Sequence, residues 1–305
     1  MCDIWQKTDG KELDLDDLAR HRGSIAGLGV REVVLTGGEA LLHRRFGQLC
    51  EFLRECGARV TLLTTGLLLA KRAEIVARCV DEIIVSIDGP QQVHDQVRRV
   101  AGAYQLIGKG IGAVRERNPR MPVNARSTLQ KANHAVLRQT VAGAKQLGID
   151  SISFLATDLT SQAFNRDMVW PIVRQDEVAL SRSEVNALEK EIEALIRENA
   201  EDFRGAYIVE SPEKMRRIVR RFKEHLGDCA PAAPTCNAPW VSAVVEVDGT
   251  LRPCFFQPKI GSLAGMTLEE AVNGEEAKRF RAELDVETNP ICQRCVCSLN
   301  YRSAK

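Results

Sequence analysis

The sequence predicts an α/β protein built on a parallel sheet and followed by a small cysteine-rich unit. Three observations carry that expectation. From residue 31 to about residue 156, short apolar β-rich runs alternate with helical stretches, and such alternation implies right-handed crossovers into a parallel sheet. Polar residues recur inside runs that should be buried on both sides, which points to a barrel interior facing a polar ligand. Six of the ten cysteines fall in the last 77 residues and four in the first 228.

The elements follow in order. Asp14 to Ala26 reads as a capped helix, ahead of which an upstream strand is expected. Arg31 to Thr36 (REVVLT) is a strand ending at Gly37-Gly38, Phe46 to Cys56 is helical, and Ala58 to Thr64 is the second strand, closed by Gly66. Leu68 to Val80 is helical, and Asp81 to Asp88 is a strand broken by Gly89-Pro90. A helix around Tyr104 to Glu116 leads to a strand over Pro122 to Leu129, and one around Ala135 to Leu147 leads to Ser151 to Ala156. Val185, Leu188, Ile192 and Leu195 then recur at helical spacing between Ser181 and Asn199. Ser211-Pro212 supplies an N-cap and a proline at the first helical position for a last long helix, stopped by Gly227. That helix is basic (Lys214, Arg216, Arg217, Arg220, Arg221, Lys223) and reads as a solvated face, with an RNA or acidic-substrate contact as the alternative.

Forty-two basic and forty-one acidic residues leave a formal charge of +1. That balance gives no electrostatic reason to expect nucleic acid or an anionic membrane as partner. There is no apolar run of about 18 residues and no secretory signal in the polar, acidic start. A cytoplasmic location is expected, where reduced thiols favour metal binding over a disulfide framework.

Two regions carry chemistry. Thr36-Gly37-Gly38-Glu39 lies at the carboxyl end of a parallel strand, the edge at which such sheets bind ligands. The glycines admit close backbone approach, and Glu39 offers a carboxylate to an ammonium group. Ser86 and Asp88 share one face of their strand, and Asn124, Arg126 and Thr128 share one face of the next. Near the C terminus, Cys236 is followed by twelve residues, Gly249, four residues and Cys254, then by Cys292-x2-Cys295-x-Cys297. Asp248-Gly249 turns a hairpin between VVEV and LRPC. Thiolate pairs from two loops can converge on one tetrahedral set, which suits either [4Fe-4S] or structural zinc. Cys50, Cys56 and Cys79 lie on helical stretches and read as small core residues, and His43, His94 and His134 as surface or capping residues.

Cys2-Asp3-Ile4-Trp5, Val33 to His43 (VVLTGGEALLH), Leu62 to Gly66 (LLTTG) and Ser86 to Tyr104 (SIDGPQQVHDQVRRVAGAY) together resemble radical S-adenosylmethionine (SAM) enzymes. The group resembled is that with a C-terminal auxiliary-cluster (SPASM or twitch) domain. The resemblance implies a partial (β/α)6 TIM-like barrel over residues 1–160, a helical connector over 161–228 and an auxiliary iron–sulfur domain over 229–305. It implies an oxidoreductase or maturase that reductively cleaves SAM at a [4Fe-4S] cluster and abstracts hydrogen from a peptide or small-molecule substrate. An external electron donor such as flavodoxin or ferredoxin would serve it. Gly37, Gly38 and Glu39 would hold the methionine amino group, and Ser86, Asn124 and Arg126 the carboxylate and ribose. Cys236, Cys254, Cys292 and Cys295 would hold one auxiliary cluster, with Cys297 or Cys229 as substitutes. A second auxiliary cluster is not expected, because Tyr301 stands where the next cysteine would fall.

The chain departs from the pattern at its start. Cys2 matches the third cysteine of the C-x3-C-x2-C loop that holds the SAM-binding cluster. The first two cysteines and the first strand are absent, so a misplaced start or a fragment is expected. Thr65 replaces a frequent asparagine. Two further readings stay open: a truncated or degenerate iron–sulfur or zinc protein without catalysis, and a molybdopterin-precursor cyclase. The ending Tyr301-Arg302-Ser303-Ala304-Lys305 weighs against the cyclase, which typically ends in Gly-Gly.

Overall fold

The computed structural model describes residues 2–6, 10–164, 166 and 168–301. Five strands form one sheet: β1 (Glu32–Leu35), β2 (Arg59–Thr64), β3 (Glu82–Ser86), β4 (Val123–Leu129) and β5 (Ser151–Ala156). Their spatial order is the chain order and every pairing is parallel. Each crossover therefore steps one place in the same direction. That winding is barrel-like, unlike an open sheet whose order doubles back.

Register assigns the two faces. Val60, Leu62, Ile83, Val85, Val123, Ala125, Ile152 and Phe154 are buried beneath the crossover helices, among them Phe46–Glu55, Leu69–Cys79, Ala103–Arg115 and Leu137–Gln146. The alternate residues Ser86, Asn124, Thr128, Ser151 and Ser153 are half-buried on the inner face, and Arg126 is exposed there. The even spacing of polar residues on β4 thus reports an open concave wall rather than a doubly covered strand.

Two helical details differ from the sequence expectation. The stretch Asp14 to Ala26 forms two short helices, Leu15–Ala19 and Arg22–Gly27, broken at Arg20-His21. An unexpected helix, Gln91–Arg98, follows Gly89-Pro90. It buries His94 (1% exposed), whose Nδ1 accepts the Asp88 N–H at 3.2 Å, so this histidine is no surface residue. β3 ends at Ser86, and Asp88 beyond it is buried against Arg98, 2.6 Å away. Burial pushes His94 down to about 4, with Asp88 opposing and Arg98 adding to the shift. The unfolded chain, near 6.5, therefore binds the proton more tightly, and stability should fall as pH drops from about 6.5 to about 4. Urea unfolding across that window is expected to show the decline, and His94→Gln to flatten it.

After β5 come the helices Ile172–Asp176, Arg182–Glu198, Ala200–Arg204 and Pro212–His225. Val185, Leu188, Ile192 and Leu195 bury their stripe in the same core as the sheet, alongside Met215, Ile218, Val219 and Phe222. Ser181 and Glu184 close a capping box on Arg182–Glu198. Ser181→Ala is expected to cost about 1 kcal/mol in urea unfolding.

A second sheet of three short antiparallel strands, β6 (Val244–Val245), β7 (Thr250–Arg252) and β8 (Gly261–Ser262), builds the cysteine-rich unit. Gly249, at φ +78°, turns the hairpin. Its own core is small: Leu251, Ile260, Ala271 and Ala277. It leans on the first unit at several places. The helix Leu268–Asn273 packs on Arg22–Gly27, the Leu268 N–H donates to His21 Nδ1 at 3.2 Å, and Arg31 donates to the Tyr301 hydroxyl at 2.7 Å. Among the described residues no helix is long and apolar enough to cross a membrane.

Candidate functional site

The carboxyl end of β1 runs directly into the glycine turn. Gly37 has φ +126°, a region that disfavours any side chain. Ile4, from the short helical turn Ile4–Gln6, packs so closely that a Cβ on Gly38 would stand 3.3 Å from its Cγ1. The N-terminal segment thus lies over the turn. Glu39 caps the turn Ala40–Leu42 and reaches across to the end of β2. Its carboxylate accepts from the Leu41 N–H (3.3 Å), the Thr64 hydroxyl (2.8 Å), the Thr65 N–H (3.0 Å) and the Thr65 hydroxyl (2.5 Å). Four donors occupy about the full acceptor capacity of a carboxylate. An arriving ammonium must therefore displace a threonine hydroxyl, which only needs to rotate.

The inner face is polar in two tiers. In the upper tier Ser86 is in register with Arg126, whose Nε donates to the Ser153 hydroxyl at 3.3 Å. In the lower tier the Asn124 amide donates to Glu82 at 2.8 Å and accepts from Ser151 at 2.7 Å, while Thr61 donates to Glu32 at 2.5 Å. Ser86 and Arg126 lie toward the carboxyl ends of their strands, the end that bears the glycine turn. Asn124 lies nearer the opposite end and is already engaged.

Cys2 is half-buried, and its thiol donates to the Phe164 carbonyl at 3.1 Å. The Asp3 N–H shares that acceptor at 2.9 Å. The Asp3 carboxylate accepts from Trp170 Nε1 at 2.9 Å and from Arg174 at 2.6 Å. Arg166 and Arg174 stand over the Trp170 ring at 3.9 and 4.4 Å, and Arg166 forms a 2.5 Å ion pair with Asp158 in which neither side chain is more than 1% exposed. Phe164 in turn contacts the rings of Phe255 and Phe256, at 6.4 and 5.6 Å. The chain between β5 and Asp176 is a strap that ties Cys2 to the residues beside Cys254.

In the cysteine-rich unit, Cys236, Cys254, Cys292 and Cys295 line one cavity with Pro234, Pro239, Phe256, Gln257, Val286 and Ile291. Burial pushes the Cys254 thiol up, with the N–H groups of Phe256 and Gln257 pulling it back. Burial likewise raises Cys292, against a hydrogen bond from Gln257 Nε2 at 3.2 Å, and raises Cys295 strongly. Cys236 and Cys254 are close enough to add to the shift of both Cys292 and Cys295. A metal that takes thiolates would overcome this bias toward the protonated form. Asn289 caps the helix Pro290–Gln293, accepting from the Ile291 and Cys292 N–H groups, and so fixes where the Cys292 pair begins. Cys297 is exposed and does not line the cavity, but its carbonyl accepts from the Cys295 thiol at 3.1 Å. Cys229 is half-buried with its sulfur 4.0 Å from the Arg220 carbonyl.

Cys50, Cys56 and Cys79 are buried in the main core, and burial pushes Cys50 up to about 12. On the basic helix Lys214, Arg216 and Arg220 are exposed, as a solvated face requires, while Arg217, Arg221 and Lys223 are half-buried, and several of these cations pair with Glu193, Glu224 and Glu189. Gln257 and Asn289 were not expected from the sequence. A buried amide next to cysteines is visible only once the loops are folded together.

The radical SAM superfamily model matches residues 1–129, and the SPASM model, an iron–sulfur cluster-binding domain, matches residues 236–296. AdoMet-dependent heme synthase of Methanosarcina barkeri (strain Fusaro / DSM 804) is 30% identical over 140 residues, 45% of this chain and 40% of that protein. GTP 3′,8-cyclase of Rhizobium leguminosarum bv. trifolii (strain WSM2304) is 31% identical over 145 residues, 45% of this chain and 41% of that protein. The matches thus span about two fifths of these curated relatives. In fold, the chain is similar to AdoMet-bound anSMEcpe, with TM-score 0.63 and 16% identity over 96% of this chain and 82% of that one. It is also similar to SuiB of Streptococcus suis bound to its precursor peptide SuiA, with TM-score 0.59 and 12% identity over 98% and 68%. Residues 1–129 therefore belong to the radical SAM superfamily and residues 236–296 to the SPASM family of iron–sulfur domains, families that bind SAM and [4Fe-4S] clusters.

Proposed function

We propose that the chain is a radical SAM and SPASM oxidoreductase or maturase acting on a peptide, with one auxiliary [4Fe-4S] cluster on Cys236, Cys254, Cys292 and Cys295. The observation that carries the reading is the convergence of those four cysteines, from separate loops, on one cavity. The match of residues 236–296 to an iron–sulfur cluster-binding domain favours a cluster over zinc. The Gln257 amide is placed to donate to the Cys292 thiolate, the kind of contact that tunes cluster potential.

Gly37, Gly38 and Glu39 would receive the SAM methionine group, and Ser86 and Arg126 the carboxylate and ribose side. A separate [4Fe-4S] cluster beside the glycine turn, with Cys2 as one ligand, would supply the electron that breaks the SAM sulfonium bond and so the radical that takes hydrogen from substrate. The open inner wall around exposed Arg126 admits a chain-like substrate, and the SuiB and anSMEcpe structures similar in fold were solved with peptides. An external one-electron donor would complete the cycle.

Anaerobic reconstitution is expected to give roughly four irons and four sulfides per chain at the auxiliary site, and about eight where Cys2 shares in a second cluster. Zinc without sulfide would overturn the cluster. Glu39→Ala should weaken SAM binding by about 1.5–3 kcal/mol in equilibrium dialysis, the range for hydrogen bonds to charged groups. Unchanged affinity would leave Glu39 as a cap alone.

One observation favours a second reading. Among the described residues Cys2 is the one cysteine beside the glycine turn, and a single thiolate does not hold a cluster there. On that reading the chain carries the auxiliary cluster alone, as a structural or electron-transfer site. About four irons with no 5′-deoxyadenosine formed from SAM and dithionite would select it.

A further inference from the structure

We infer that Arg217 is a positioning and charge-compensating residue of the auxiliary cluster site, acting through the linker that delivers Cys236. The inference rests on the proposal that Cys236, Cys254, Cys292 and Cys295 hold that cluster.

On the helix Pro212–His225, Lys214, Arg216, Arg220, Arg221 and Lys223 pair with the carboxylates of Glu210, Glu193, Glu224 and Glu189. Arg217 instead donates to two main-chain carbonyls, Ala233 and Ala232, each at 3.1 Å. The stretch Ala230-Pro231-Ala232-Ala233-Pro234 has no secondary structure, and its two prolines lack an N–H. Such a segment cannot satisfy its backbone by itself and must find partners elsewhere. One helix supplies them. Arg220 donates to the Ala230 carbonyl at 2.9 Å, Glu224 accepts from the Ala232 N–H at 3.1 Å, and Arg217 holds the carbonyls of Ala232 and Ala233. The backbone is thereby fixed immediately before Pro234 and Cys236, both of which line the cavity.

Charge adds a second role. The Arg217 guanidinium is half-buried and, held on the Ala233 carbonyl, stands one residue from Pro234 of the cavity wall. A [4Fe-4S] cluster with four thiolates carries net negative charge. A partly desolvated cation nearby favours the reduced, more negative state and holds the reduction potential up.

The test uses the full chain, reconstituted anaerobically, with two readouts: EPR-monitored redox titration and the rate of iron loss to a chelator. Arg217→Gln is expected to shift the midpoint to a more negative value and to lose iron roughly tenfold faster, as outer-shell substitutions at metal sites do. Arg217→Lys keeps the charge but not the two-pronged grip, so it should restore the potential and still lose iron faster than wild type. Arg216→Gln removes a charge paired to Glu193 on the same helix and should behave as wild type. Should Arg217→Gln take up no iron, Arg217→Lys decides: faster iron loss supports the inference and wild-type behaviour overturns it. The inference is also overturned if Arg217→Gln matches wild type in both readouts, or if Arg216→Gln shifts them equally. Wild-type protein that acquires no iron and sulfide overturns the proposed cluster, and this inference with it.

Discussion

Replacing Cys254 and Cys292 together by alanine is expected to empty the auxiliary site, taking its iron from about four per chain to under one. The same change should unfold the cysteine-rich unit locally. Its apolar core consists of Leu251, Ile260, Ala271 and Ala277, two of which are alanines. So small a core does not stabilise a separate unit, and small domains of this kind draw folding free energy from their metal. The sheet β1–β5 has its own core and should survive. Hydrogen exchange then separates the two regions: amides of residues 244–262 should lose protection while those of β2 and β3 keep it. Retention of full iron would mean that Cys297 or Cys229 substitutes, and the ligand set proposed above would be wrong.

Asp158→Asn is expected to cost about 3–5 kcal/mol, because it leaves the Arg166 guanidinium buried with its counter-charge removed. The pair is the most secluded ion pair among the described residues, and Arg166 also donates to the carbonyls of Asp158 and Ser161. Arg166→Met should cost a similar amount. The double replacement Asp158→Leu with Arg166→Met should recover most of the loss, since swapping a whole buried pair for apolar groups is often neutral. Urea unfolding of the four proteins gives the coupling directly. A single-variant cost below about 1 kcal/mol would show that the pair behaves as a solvated surface bridge.

The sequence was most informative where periodicity and burial agree. The five strands and the stripe Val185, Leu188, Ile192 and Leu195 fall where the apolar spacing places them, because one face of each is covered. It was less informative where a side chain's partner lies far along the chain. Nothing local to Gln91–Arg98 reveals that His94 closes the end of β3, and the helix is too polar to announce a buried stripe. The basic helix is solvated at Arg216 and Arg220, but nothing in its own sequence reveals that Arg217 is half-buried against the proline-rich linker. At the site, the cysteine spacing pointed to the four residues that line one cavity but not to their surroundings. Gln257 and Asn289 carry no motif, and the strap residues Trp170 and Arg174 meet Asp3 only through the fold.

The contacts of Asp3 and Tyr301 also bear on the order in which the molecule is made. Asp3 waits for Trp170 and Arg174, and Arg31 waits for Tyr301, 270 positions later. Loop-closure entropy makes such contacts late events, and synthesis at about 5–20 residues per second lets the sheet form while the C-terminal cysteines are still on the ribosome. The four thiols of the cavity therefore meet only after the barrel wall stands complete. With the proposed ligand set, cluster insertion would be a late step of biogenesis, and iron shortage would leave a folded sheet trailing an unassembled tail, a substrate for proteolysis rather than for chemistry.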